Sequence, residues 1–275
     1  MIEEQHLPEE GVDDGDSGFG LPQMSDSDVM GVLLSEDSAR DQSEPEVASS
    51  IGEQMLHMDI PLLPRSVRAR IRDVCSRLNP SNAILIGGGI GHLSAWLFDL
   101  WCDDSPGPGG DSGKPPESFR IIEPGTRFRV IIDRLIRRYE AEDWAQVVSS
   151  TWQEVFAESA SARASNLSIP ESAIDSIIPM QLDLVIIDLP EEDRVAAADA
   201  AFELSSPGGL VILLEPKVPT GDVGDLSELV EPTPAQLKVK SFNSWIELVQ
   251  RVNSEHSIGF ADLSGGTIVA FLKKN

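Results

Sequence analysis

The stretch from Ala83 to Leu97, AILIGGGIGHLSAWL, restricts what this chain can fold into more than any other. Four apolar residues lead into Gly87, Gly88 and Gly89, then Ile90 and Gly91, after which Leu93, Ala95, Trp96 and Leu97 recur at helical spacing. A short branched apolar run closed by glycines and followed by helical periodicity reads as strand, tight turn, helix. Glycine allows positive φ and lets a ligand come up to the backbone with no Cβ in the way. The helix start adds free N–H groups that suit a carboxylate or a phosphate. The dinucleotide fingerprint G-x-G-x-x-G wants a glycine or alanine where His92 stands, so that pattern fails. What is present is G-x-G-x-G, at Gly87, Gly89 and Gly91. The same turn can also bind nothing and only join a strand to a helix.

Length and charge set the bounds. A chain of 275 residues, 41% hydrophobic, can bury the core of one ordinary domain with extensions. No apolar run approaches the roughly eighteen residues of a membrane span, so no membrane partner is expected. MIEEQHLPEE has neither a basic region nor an apolar core, so it does not read as a secretory signal. Cys75 and Cys102 lack metal-ligand spacing and read as reduced thiols of a cytoplasmic protein. A net charge of −25 repels a phosphate backbone and argues against a nucleic-acid substrate.

Residues 1–50 hold fourteen Asp and Glu against a single Arg40, with many Ser, Gly and Pro, and read as a disordered acidic tail. Within it Val29–Leu34 is an apolar island, read as a tail segment with no partner rather than as a short docking helix. Order is expected from Ile51, so residues 51–275 make the domain. Arg65–Leu78 places Val67, Ile71, Val74 and Leu78 on one helical face with arginines opposite, and Asn79-Pro80 ends it. His57, standing alone before that helix, reads as structural. Residues 103–118 are dominated by Gly, Pro, Ser and Asp and read as a flexible surface insertion, which costs little in loop closure.

Further strands follow. Phe119–Ile122 runs into Glu123 with Pro124-Gly125 after it, then a helix carries Phe128, Ile131, Ile132, Leu135, Ile136 and Tyr139 on one core stripe. Gln146–Ser149 is a short strand leading to Ser150, Thr151 and Trp152. The continuous apolar run Leu182–Ile187 suits a parallel strand buried on both faces, and it ends at Asp188, at the carboxyl end where open α/β sheets bind ligands. A helix over 191–204, a turn at Ser205–Gly209 and a strand over Leu210–Leu214 ending at Glu215 come next. Phe242-Asn243 opens a helix through Glu255, and Ile258–Asp262 and Thr267–Leu272 form a hairpin about Gly265-Gly266.

The G-x-G-x-G turn, the acidic strand end at Glu123, the phrase PGGLVILLEP and the closing GGTIVAFLK resemble class I S-adenosylmethionine (SAM)-dependent methyltransferases. The ending is similar to the catechol and caffeoyl-CoA type O-methyltransferases, over about residues 51–275. This resemblance implies a Rossmann-like α/β fold: a seven-stranded, mostly parallel sheet with a C-terminal antiparallel hairpin and helices on both faces. It implies that Gly87, Gly88, Gly89 and Gly91 form the cofactor loop and that Glu123 accepts hydrogen bonds from the two ribose hydroxyls. Thr151 and Trp152 flank the adenine in this reading, Trp152 either stacking on the base or serving as a core tryptophan. Asp188 stands near the transferred methyl as base, orienter or partial metal ligand.

The chain also departs from that pattern. Leu85 replaces the acidic residue two places before the first glycine, and Thr151 replaces the usual acidic adenine partner. Asp188 matches the first metal ligand of the metal-dependent members, but Leu213 to Pro216 supply no Asp-Asn pair, which leaves Glu215 as one oxygen donor. Glu191 falls near the position of their catalytic lysine. A metal site is therefore not assigned, and a divalent ion stays doubtful. The implied activity is methyl transfer from SAM to a small-molecule acceptor, mostly at oxygen; the relatives are often homodimers, and the residues leave the oligomeric state of this chain open. Two rivals stand beside it: an aminopropyltransferase like the polyamine synthases, which share IGGG at this loop, and a methyltransferase-like binding protein without activity.

Overall fold

The computed structural model describes residues 25–38, 44–102, 114–168, 176–220 and 233–274. Strand β1 (Asn82–Ile86) enters the glycine turn and α4 (His92–Cys102) leaves it, as the apolar run and the helical spacing require. Parallel partners flank β1: β2 (Ser118–Ile122) on one side and β4 (Leu182–Ile187) on the other. Beyond them lie β3 (Ala145–Val148) and β5 (Ser205–Leu214), also parallel. Strands β6 (His256–Leu263) and β7 (Gly266–Lys273) complete the order β3-β2-β1-β4-β5-β7-β6 as an antiparallel hairpin inserted beside β5. The chain reverses its direction of travel across the sheet between β1 and β4, which opens a crevice at their carboxyl ends.

Alternation along the strands divides the core in two. Leu85, Ile121, Leu184 and Ile212 face α2 (Glu46–His57), α3 (Arg65–Ser76), α4 and α5 (Thr126–Arg138). Ile84, Ile86, Val185 and Val211 face α6 (Trp152–Ser168), α7 (Glu191–Leu204) and α8 (Pro234–Val252). Both faces are covered, which is why β1 and β4 read as unbroken apolar runs. At the opposite end of the sheet Asp183 ties three strands: Oδ2 accepts from the amides of Ser81 and Asn82 at 3.0 and 2.9 Å, and Oδ1 from the Ser206 hydroxyl at 3.0 Å. Among the described residues no helix is long and apolar enough to cross a membrane.

The reading of residues 1–50 as a tail needs correction over residues 25–38 and 44–50; residues 1–24 and 39–43 lie outside the described residues. Asp26–Leu33 is helix α1, opened by a capping box between Ser25 and Asp28, and α2 begins at Glu46. The island Val29–Leu34 is the docked part: Met30, Leu33 and Leu34 are buried against β6. Gly259 makes this fit, since a Cβ there would stand 2.7 Å from Leu34 Cδ1 and 2.8 Å from Met30 Cε. Arginines of α3 take the carbonyls left over at the C-terminus of α1. Arg70 donates to Leu34 and Arg77 to Leu33, at 2.6 and 3.0 Å. Acidic composition masked a short apolar stripe whose partners lie more than two hundred residues away. Most of the flexible insertion read at 103–118 lies outside the described residues.

Smaller differences have local causes. The turn expected at Ser205–Gly209 is the start of β5, which pairs Ser205 with Leu182 and then shifts register, with Gly208 at φ +75° absorbing the irregularity. Helix α8 starts eight residues before Phe242, at a capping box formed by Thr233 and Gln236, so Phe242-Asn243 lies in its interior. On α3 the arginines are not all opposite the core: Arg68 and Arg72 are buried over the Trp96 ring, 5.3 and 4.8 Å from its centroid.

Candidate functional site

The bend after β1 is set by two contacts. The amides of Gly87 and Gly88 both donate to the carbonyl of Ile122, at 3.1 and 3.0 Å, which turns the chain toward β2. Gly87 has φ +93°, and a Cβ on it would run into the Asp188 carbonyl. Gly89 differs: its φ is +50° and nothing lies within 4 Å of where its Cβ would be. Gly87 is thus glycine for the protein's own packing, while the space beside Gly89 is open. Gly88 and Gly91 pack on Ile132 and Leu135 of α5, closing the floor behind the bend.

Glu123, at the end of β2, turns its carboxylate into this bend. Oε2 accepts from the Gly89 amide at 2.7 Å and Oε1 from the Gly125 amide at 2.8 Å. Only 7% of the residue is exposed, and burial raises its pKa while the two amides hold it down. Charge-assisted bonds of this length fix the carboxylate in place and leave lone pairs free for a donor entering the crevice.

Asp188 continues β4 past its last rung, its amide donating to Ile86 at 2.8 Å. Burial pushes its carboxyl up to about 6, opposed by the nearby charge of Arg194. The sheet order places Asp188 beside the glycine bend, opposite Glu123. Glu215, at the end of β5, is engaged elsewhere: its Oε1 accepts from Trp245 Nε1 of α8 at 3.1 Å. Among the described residues no three His, Cys, Asp or Glu side chains come together as a metal centre would need.

Thr151 and Trp152 stand at the start of α6. Thr151 forms a capping box with Glu154: the Thr151 hydroxyl accepts from the Glu154 amide at 3.3 Å, and the Glu154 carboxylate accepts from the Thr151 amide at 2.9 Å. The Thr151 amide and hydroxyl, both donating to the Glu154 carboxylate, lower its pKa. Trp152 packs edge-on against Phe156, ring centroids 6.2 Å apart. His57 is exposed at the end of α2.

A buried network that composition did not reveal lies behind the bend. His92, the first residue of α4, meets the Arg68 guanidinium, and Arg68 is paired with Glu44 at 2.8 Å. Burial and the Arg68 charge together hold the His92 pKa below its usual value, so the ring is neutral and accepts. A Cβ on Gly52 of α2 would come within 3.2 Å of His92 Nε2. No local sequence signal links residues 44, 52, 68 and 92; only the packing of α2, α3 and α4 brings them together.

No family model matches this chain, and no curated protein matches it. Solved structures do. An O-methyltransferase from Bacillus cereus, in complex with SAH, aligns over 90% of this chain and 96% of its own, with a TM-score of 0.53 at 19% identity. The fold is that of the SAM-dependent methyltransferases. A Streptomyces achromogenes O-methyltransferase involved in tomaymycin synthesis, in complex with SAM, shares it at 17% identity, with a TM-score of 0.53 over 91% of this chain and 96% of that one. An SAH-bound methyltransferase from Podospora anserina does so at 10% identity, with a TM-score of 0.54 over 86% of this chain and 92% of that one. The seven-stranded methyltransferase sheet with its terminal hairpin, read from the sequence, is the sheet observed.

Proposed function

We propose that this chain is a SAM-dependent methyltransferase that methylates a small molecule, at oxygen in the simplest case. The observation that carries the reading is Glu123, whose carboxylate is turned into a glycine bend left open at Gly89. The residues present fit the cofactor. The bend offers a cradle that a Cβ would fill, and a buried carboxylate beside it suits a pair of ribose hydroxyls. Gly89 would face the nucleoside's amino-acid side where the bend is open, with Gly87, Gly88 and Gly91 shaping the cofactor loop behind it, Glu123 would hold the ribose, and Trp152 one edge of the base. Bound there, SAM supplies an electrophilic methyl group on a sulfonium.

What the chain adds is placement and proton removal. Asp188 stands at the end of the neighbouring strand, beside the bend, with a carboxyl that burial raises to about 6 and that would accept a proton from an acceptor hydroxyl. Its ionised form also favours a cationic cofactor over its neutral demethylated product, which eases release. Thr151 keeps its bonds within the α6 cap, so it takes no part in base recognition. The same reading takes the chain as a homodimer with no nucleic-acid substrate, in a reducing compartment such as the cytoplasm, where Cys75 and Cys102 stay as thiols. The test is calorimetric titration with SAM and SAH, followed by a screen of small hydroxyl acceptors with and without magnesium. Saturable binding of both cofactors is expected; binding of neither overturns the reading.

A further inference from the structure

The region past the ends of β4 and β5 contains a basic side chain that the sequence did not single out. Helix α7 opens with Glu191, Glu192 and Asp193, which suit a helix N-terminus, and then places Arg194. The Arg194 guanidinium turns back toward the sheet. Its Nε donates to the Leu189 carbonyl at 2.8 Å, and its Nη1 reaches the Leu214 carbonyl at 3.4 Å. The β4–β5 ladder ends at the pair Ile187 and Leu213, so one side chain adds a rung where the backbone has stopped pairing. The rigid guanidinium fork offers separate nitrogens to the two carbonyls, Nε to Leu189 and Nη1 to Leu214, a spread that the single nitrogen of an ammonium lacks.

That rung reaches the cofactor bend through two residues. Leu189 Cδ2 lies 3.2 Å from the place a Gly87 Cβ would take, and the Asp188 carbonyl fills the rest of that space. Release of the Leu189 carbonyl would therefore loosen the packing against Gly87 and move the backbone that carries the Asp188 carboxyl. We propose that Arg194 is a positioning residue for methyl transfer, clamping the Asp188–Leu189 turn to the end of β5 and so fixing Asp188 against the glycine bend. This rests on the methyltransferase reading.

Arg194→Met and Arg194→Lys test it in the full-length chain, with Arg251→Met as control, since Arg251 pairs with Asp199 on the exposed side of α7. Hydrogen exchange over residues 186–191 is measured without cofactor, and SAH affinity by calorimetry. Loss of a rung speeds exchange in that segment by about tenfold in the Met variant. SAH affinity should fall by about threefold to tenfold in the same variant. The Lys variant should fall between the two, and the control should match the wild type. Wild-type exchange and affinity in Arg194→Met overturn the clamp while leaving the methyltransferase reading intact. A wild type that binds no SAH overturns that reading and removes the clamp's catalytic purpose, even if exchange responds. Should Arg194→Met fail to fold, the Lys variant decides: unchanged exchange over 186–191 and unchanged SAH affinity overturn the clamp.

Discussion

The two halves of the crevice are built differently. On the β1–β2 side the wall is mostly backbone: a bend with φ +93° and +50°, open space at Gly89, and one carboxylate held by two amides. On the β4–β5 side it is made of side chains: Asp188, the Arg194 fork, and Glu215 committed to Trp245. Backbone geometry demands particular residues, mostly glycine, and keeps them recognisable. Side-chain geometry can be met in many ways, which is why this half departs from the pattern it resembles.

The largest effect should come where backbone and packing coincide. Gly87→Ala sets a Cβ against the Asp188 carbonyl at a positive φ and should cost about 3 kcal/mol or more, read by chemical denaturation. Gly89→Ala faces open space and should cost only about 1 kcal/mol, yet weaken SAH binding at least about tenfold. Equal stability losses for the two would break the division between a packing glycine and a ligand glycine.

Glu123→Ala comes next. It strands two amides and should cost about 2 kcal/mol in stability, with SAH affinity falling by about tenfold to a hundredfold in calorimetry. Retained affinity would remove the carboxylate from the cofactor half.

The other half is probed by pH. Because burial raises the Asp188 carboxyl to about 6 from 3.8, the folded chain holds a proton there that the unfolded chain has released. Its contribution to stability is complete below about pH 4 and is lost as pH rises through 6. Asp188→Asn should flatten that slope and leave the protein up to about 2 kcal/mol more stable at pH 7, while methyl transfer is lost. An unchanged slope in thermal unfolding from pH 4 to 7 would place the titration elsewhere.

The smallest effect sharpens the edge between site and scaffold. Thr151→Ala should cost about 1 kcal/mol, the usual loss of an N-cap, with SAH affinity moving less than about threefold. A larger change in affinity would return Thr151 to the adenine pocket.

Residue spacing carried much of this to the surface of the sequence. Glycines at 87, 89 and 91 after a branched apolar run have one common structural use, and the strands over 119–122 and 182–187 follow from their apolar content. The G-x-G-x-G turn and the acidic end at Glu123 were legible for the same reason. Three things were not. Helix α1 hid in acidic composition, because its apolar stripe is short and its receptor, Gly259, is a residue type that advertises nothing. Arg68 and Arg72 were placed in solvent by periodicity, whereas stacking on Trp96 and pairing with Glu44 allow their burial. Arg194 lay among charged residues of a helix start, and its two carbonyl partners come from the turn after β4 and the end of β5.

The seating of α1 on β6 has a practical consequence for anyone trimming the gene. Cutting at residue 51, where composition changes, would strip a greasy notch of its plug, leave Arg70 and Arg77 with idle donors, and take away the counter-ion of Arg68. The shortest self-sufficient chain begins no later than Ser25, and one started downstream should be sticky and hard to keep in solution.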